Sequence, residues 1–144
     1  DAELTQQGIG MRPSVAAPDL ANRIMYRLMS AMPKKPLEAC EVDGDLQDGQ
    51  EVPHTGGLQV VHAPGHTVGN LVFIWPRHKV LIAADAISNL LGLGYPPIFE
   101  DFDLGKQSIV ELGQLDFEIA CFGHGGPIMQ GAAQAIQRKW GTPG

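Results

Sequence analysis

Four short stretches of the chain are dominated by apolar residues: "GLQVVH" (57–62), "NLVFIW" (70–75), "KVLIAA" (79–84) and "FEIACF" (117–122). Their length and their branched and aromatic content predict β-strands. The "PRH" between the second and third predicts a tight hairpin. The third is apolar throughout, the pattern expected of a strand covered on both faces. Two further strands are expected in "CEVD" (40–43) and "LQDGQEV" (46–52), with Asp43-Gly44 and Asp48-Gly49 as turns.

Other segments repeat with the period of a helix. Leu20, Ile24 and Leu28 recur every fourth residue, flanked by Met25, Met29 and Met32, and the run lies between Asp19, a good N-cap, and Pro33. A helix over 19–32 follows. Its methionines are expected to pack on the protein's own core, with a cover over a functional site as the sharper alternative. "GKQSIVELGQL" (105–115) predicts a helix packing through Ile109, Leu112 and Leu115, and Ala132, Ile136 and Trp140 mark a last helix. The opening "DAELTQQG" is helical in phrasing, and 88–103 is irregular, with a Pro-Pro pair. The sum is an α/β chain of the α+β type: one domain with a mixed β-sheet and flanking helices.

Composition narrows the function. At 144 residues, 44% apolar and 18% charged, the chain suits a single globular domain. A net charge of −6 with no basic stripe argues against nucleic-acid partners, and no apolar run is long enough to span a membrane. Cys40 and Cys121 are read as reduced, mostly buried thiols, which suggests a cytoplasmic location.

Candidate chemistry lies just past the strand ends. The first strand leads through "APG" to His66, the third runs into Asp85, and the fourth runs through Gly123 into His124. Small residues at such corners let the backbone turn sharply and aim the next side chain along the sheet edge. Were these strands neighbours, two imidazoles and a carboxylate would converge. That donor set suits zinc, and a carboxylate has two oxygens with which to bridge two ions. A lone strand-end histidine is more often structural, so the three together matter. His62 is read as strand packing, and His54 and His78 as exposed loop residues. Tyr95 and the acidic loop of Glu100, Asp101 and Asp103 are weaker candidates for touching a substrate. Nucleophile-elbow, phosphate-loop and C-x-x-C motifs are absent.

The same residues resemble a known family. "APGHTVGN" resembles the P-G-H-T-x-G turn of metallo-β-lactamase-fold hydrolases, "LIAADAI" their strand ending in T-G-D, and "CFGHGGP" their late G-H-G. One departure is Ala84, where the family usually has Gly. The resemblance implies the second half of an αβ/βα sandwich. It assigns His66 to one metal, His124 to another and Asp85, the catalytic carboxylate, to both, with Thr67 steadying the His66 turn. The implied reaction is hydrolysis by a zinc-bound hydroxide, with iron as the other metal the superfamily uses.

A second departure is larger. The family's H-x-H-x-D-H motif, source of four of seven ligands, has no counterpart in this sequence. The expectation is a chain lacking the front of the fold, its opening resembling the helix that follows that motif. Three ligands divided between two ions should bind zinc poorly, and a sheet without its opposing layer should bare an apolar face. A homo-oligomer or the missing N-terminal segment is expected to cover it. The 20 residues after His124 are expected to leave no room for the helical domain of hydroxyacylglutathione hydrolases. A small ester, lactone or thioester is then the expected substrate. The competing reading is a non-catalytic half-fold that serves as an oligomeric or interaction module.

Overall fold

A computed structural model describes residues 14–33 and 38–141; the helical phrase at the start of the sequence lies outside them. The framework is a four-stranded sheet of β2 (Gln59–His62), β3 (Leu71–Trp75), β4 (Val80–Ile82) and β6 (Ile119–Cys121), in the order β2-β3-β4-β6. β3 is antiparallel to both β2 and β4, and β6 is parallel to β4. β2, β4 and β6 therefore point the same way. A two-residue antiparallel pair, β1 (Val15–Ala16) with β5 (Ile98–Phe99), stands apart from this sheet.

The "PRH" linker folds as a single 3-10 turn, closed by Lys79 in the left-handed conformation. Cross-strand register assigns the two faces. Val72, Ile74, Leu81 and Ala120 share one face and are buried with Ile109 and Leu112 of α2 (Phe102–Leu112) and Ile136 of α3 (Ala132–Trp140). Ala132 is buried there too, and Trp140 and Leu115 pack at the cluster's margin. Asp101 caps α2 through its carboxylate, which accepts from the Leu104 N–H at 3.0 Å.

The other face differs from the sequence expectation. Val60, Phe73, Ile82 and Cys121 form one cross-strand row, and Trp75, Val80 and Ile119 form the next. Apart from Val60 these side chains are only half-buried. β4 is thus covered by helices on one side alone. Its continuous apolar run reflects a second apolar face rather than a second covering layer.

Helix α1 (Leu20–Ala31) forms where the periodicity places it, with the Asp19 carboxylate accepting from the Asn22 N–H at 2.9 Å. Its packing is otherwise. It buries no residue, and Leu20, Ile24, Leu28 and Met32 are 52–73% exposed. The methionines do not pack on the core, because periodicity specifies which face is apolar and not what meets it. The helix is tied down instead by polar contacts, from Asn22 Nδ2 to the Tyr95 carbonyl and from the Tyr26 hydroxyl to the Ser14 carbonyl.

Residues 38–50 carry no strand. They follow the sheet as a loop that bonds to β2 through Gly49 N–H to Val60 O and His62 N–H to Asp48. Both cysteines are free thiols, but Cys40 is exposed and Cys121 half-buried, so neither is a core residue. Among the described residues no helix is long and apolar enough to cross a membrane.

The central position of β4 has a measurable consequence. Leu81 is fully buried between the sheet and both helices. Leu81→Ala is expected to cost about 2–5 kcal/mol of stability, the range for a core leucine whose cavity closes incompletely. Urea denaturation of both proteins checks this.

Candidate metal centre

Because β2, β4 and β6 run in the same direction, their C-terminal ends lie along one edge of the sheet. His66 follows β2 by four residues, Asp85 follows β4 by three, and His124 follows β6 by three. The structure brings the three together. His66 Nε2 stands 4.0 Å from Asp85 Oδ2, and His124 Nε2 stands 3.5 Å from Asp85 Oδ1. Each carboxylate oxygen faces a different imidazole.

The separations are informative. Both exceed the usual hydrogen-bond range of about 2.7–3.2 Å. Two ligands of one tetrahedral ion, with bonds of about 2.0–2.2 Å, stand about 3.3–3.6 Å apart. The donors thus fit a metal in chemistry and roughly in spacing, but as two pairs. Among the described residues no group of three or more His, Cys, Asp or Glu is placed to hold a single ion.

The His66 ring is oriented by its other nitrogen. Nδ1 lies 2.9 Å from the Ile98 carbonyl, which can only accept, so Nδ1 carries a proton and, in the neutral ring, the Nε2 lone pair is the one turned toward Asp85. Its side chain is 17% exposed, against 63% for His124, so one imidazole is preset and the other open.

The corners are built from residues too small to obstruct them. A Cβ on Gly123 would stand 2.3 Å from Asp85 Oδ1 and 3.1 Å from the Ala84 carbonyl, so only Gly lets the β6 end pass the carboxylate. Gly125, at φ +95°, lies against the Asn89 backbone; the Asn89 N–H donates to the His124 carbonyl at 2.9 Å, and Asn89 Nδ2 donates to the Gly126 carbonyl at 2.6 Å. Gly65, at φ +133°, touches the backbone of Gly105 in α2. Ser108, buried on that helix, donates to the Pro64 carbonyl at 2.7 Å.

With this geometry established, comparison with known proteins decides the family. The Metallo-beta-lactamase superfamily matches over residues 16–124, from β1 through His124. The chain belongs to the metallo-beta-lactamase superfamily. Among curated proteins it is similar to the lactamase-like protein aptB of Emericella nidulans, 32% identical over 85 residues, which are 58% of this chain and 26% of that one. Among solved structures it is similar to the metallo-beta-lactamase family protein TTHA1429 from Thermus thermophilus, with TM-score 0.59, 21% identity, and 86% of this chain on 45% of that one. It is also similar to the archaeal superfamily protein ST1585 from Sulfolobus tokodaii, with TM-score 0.53, 17% identity, and 83% of this chain on 46% of that one. The chain thus spans about a quarter of aptB and under half of either structure.

At Ala84 the resemblance of the sequence leads one to expect glycine, and the backbone gives the reason. Ala84 adopts φ +44°, a left-handed conformation that costs a residue with a Cβ about 1–2 kcal/mol. The chain bears that cost at the corner that aims Asp85.

The other candidates settle elsewhere. Tyr95 joins an aromatic cluster with Phe99, Phe102 and Trp140, and lines a cavity of about 350 Å³ between α1 and the 88–97 loop. That cavity does not include His66, Asp85 or His124. Thr67 serves the turn through its carbonyl, which accepts from the Gly65 N–H at 2.9 Å and the Asn70 N–H at 3.3 Å. His62 lies on β2 but is exposed rather than packed, its Nε2 2.8 Å from the Val68 carbonyl. His54 is exposed, and exposed His78 stacks edge-on against Trp75. Ser108, Asn89 and the Ile98 carbonyl support the site without any mark in the sequence. Such contacts depend on tertiary placement and not on local pattern.

Two checks follow from the corners and one from Tyr95. Ala84→Gly is expected to raise stability by about 0.5–1 kcal/mol, as relief of the left-handed strain outweighs the entropy of the added glycine. Gly123→Ala is expected to lower it by about 1–3 kcal/mol, as overpacking pushes against Asp85; thermal melts of both read the signs. Burial raises the Tyr95 hydroxyl pKa above its ordinary 10.0, with Asp19 adding to the rise. An acid held protonated by folding contributes stability below its unfolded pKa and loses it as pH climbs through the folded one. Tyr95→Phe should therefore lose less stability than the wild type between about pH 9 and pH 11, checked by melts across that range.

Proposed function

We propose that the chain carries one part of the active site of a metal-dependent hydrolase, with His66 and His124 each serving a different metal ion and Asp85 bridging the two. The observation that supports this most directly is the Asp85 carboxylate, whose two oxygens face two different imidazole Nε2 atoms at 3.5 and 4.0 Å. A purely structural Asp-His contact would close to a hydrogen bond. Superfamily membership supports a metal-dependent hydrolase-type fold. Zinc is the metal this N/O donor set suits best, with iron the alternative.

When bound, such ions acidify a water toward neutral pKa and polarise a substrate oxygen. The chain's own residues do the rest. In its neutral form His66 presents the Nε2 lone pair, because the Ile98 carbonyl holds the proton on Nδ1. Asp85 supplies negative charge between the two positions. Gly123 and Gly125 leave the edge open where a substrate must approach. A small ester, lactone or thioester is the proposed substrate class. The free thiols suit a reducing compartment, and the cytoplasm is the proposed location.

The half-buried sheet face bears on partners. We place a second layer on Phe73, Ile82, Cys121 and Val80, supplied by a further segment of the protein or by a second copy. A non-catalytic interaction module is the competing reading, favoured by the same face and by a supply of only two ligands for each ion.

Zinc titration monitored by calorimetry tests the reading. The wild type is expected to bind zinc, and Asp85→Asn to weaken binding by about tenfold or more. Equal binding by both proteins, or none at millimolar zinc with the fold intact, would overturn the metal assignment and leave the interaction module standing.

A further inference from the structure

His66 is more ordered than its place in a surface turn would suggest, and the cause is a short piece of chain 32–36 residues downstream. Three residues there act on the turn together. The Ile98 carbonyl takes the His66 Nδ1 proton at 2.9 Å. The Glu100 backbone N–H donates to both the Gly65 carbonyl, at 2.9 Å, and the His66 carbonyl, at 3.0 Å. The Asp101 N–H donates to the Gly65 carbonyl at 3.0 Å, and the Glu100 carboxylate closes the far side, its Oε2 accepting from the Val68 N–H at 2.8 Å.

We propose that Glu100 is a positioning residue for His66, holding the 65–68 turn by backbone and carboxylate so that the imidazole keeps its Nδ1 proton on Ile98 and its Nε2 lone pair toward Asp85. The geometry separates this from a role in the reaction itself. Oε2 is engaged with the turn, accepting from the Val68 N–H two residues past His66. It also separates Glu100 from its acidic neighbours. Asp101 commits its carboxylate to the cap of α2, and Asp103 lies in the first turn of that helix.

The carboxylate matters because it is the side-chain tie between the 98–101 segment and the residues that follow His66. The bonds to Gly65 and His66 carbonyls fix the entry of the turn. Val68 lies after the imidazole, and its N–H has the Glu100 side chain as partner. Without that side chain the exit keeps the bonds of the Thr67 and Val68 carbonyls, to the Gly65 and Asn70 N–H groups and to His62, but the exposed Val68 N–H loses its protein partner to water and the turn loosens from the 98–101 segment. The distance of His66 Nδ1 from Ile98 then widens, and the ring becomes free to place its proton on Nε2, where it would block a ligand lone pair.

This inference rests on the reading of His66 as a metal ligand only for its metal arm; the state of the ring is decided without metal. The experiment is long-range ¹H–¹⁵N NMR of the histidine rings in metal-free protein, followed by zinc titration, on wild type, Glu100→Ala and Glu100→Gln. The wild type is expected to show His66 as the Nδ1–H tautomer with a slowly exchanging Nδ1 proton. Glu100→Ala should show mixed tautomers, a fast-exchanging proton and about tenfold weaker zinc binding, the lower end of what loss of an orienting partner costs. Glu100→Gln should restore the wild-type tautomer, since its amide oxygen can accept from Val68. Should Glu100→Ala fail to fold, the glutamine variant decides the matter alone. An unchanged His66 tautomer in Glu100→Ala, or a glutamine variant with mixed tautomers, overturns the proposal. Wild type that binds no zinc but shows the tautomer difference would overturn the metal assignment and leave the positioning role intact.

Discussion

The close approach of main chains at one edge of the sheet governs the rest of the structure. Gly65 presses on Gly105, Gly123 passes the Asp85 carboxylate, and Gly125 lies on the Asn89 backbone. At each point a Cβ would sit 2.1–2.3 Å from another atom. Such contacts pack backbone polar groups close enough to satisfy one another, as the Asn89 N–H does with the His124 carbonyl and the Asp101 N–H with the Gly65 carbonyl. They also bring the other two corners to Asp85, with His66 Nε2 at 4.0 Å and His124 Nε2 at 3.5 Å from its oxygens. The chemistry at this edge is set by what the corners exclude as much as by what they present.

Topology makes that edge possible. A hairpin strand, β3, lies between β2 and β4, so alternate strands deliver their C-terminal ends to the same side. β6 reaches its place through the α2 crossover. The helix that makes the crossover is also the one whose first two turns dock the His66 loop, through Gly105 and Ser108. Core packing and site construction therefore share an element. Ile109 and Leu112 face the sheet while, one turn earlier, Gly105 and Ser108 face the turn.

What could be read from the sequence follows from which interactions leave a local trace. The apolar runs of β3, β4 and β6 and the four-residue stripe of α3 are patterns of burial, and each forms close to where the pattern places it. The meeting of His66, Asp85 and His124 was legible from small residues after apolar strands. The fate of α1 was not, because Leu20, Ile24 and Leu28 define an apolar face without naming a partner for it. The strands expected over 40–52 form only in part. Residues 38–50 carry none, because the polar residues between the Asp-Gly pairs bury little. Glu51 makes an antiparallel bridge to Gln59, flanked by bonds from the Val60 N–H to the Gln50 carbonyl and from the Val52 N–H to the Leu58 carbonyl. β5 left no signal, and Glu100 stood out only as one of three acidic residues in a loop. Their contribution is made mainly by carbonyls and amide hydrogens, which every residue type carries.

Two features of the molecule point to a single missing interaction. The sheet has helices on one face and a row of half-buried Phe73, Ile82 and Cys121 on the other. The candidate metal centre has two imidazoles and one carboxylate where two ions need about three or four ligands apiece. These deficits adjoin, since Ile82 and Cys121 are the last residues of the strands that run on into Asp85 and His124. A layer laid on the open face would therefore end beside the site. Hydrophobic burial would hold it there whether or not metal was present, and any ligands it carried would arrive already oriented. The energy of metal binding would then go to the ions rather than to assembling the protein around them. An ion alone, held by two ligands on each side, could not draw such a layer into place; the apolar face could. Such a layer would tighten a metal site that the chain alone holds weakly, and the half-buried row on the sheet would raise the affinity of a site it does not touch.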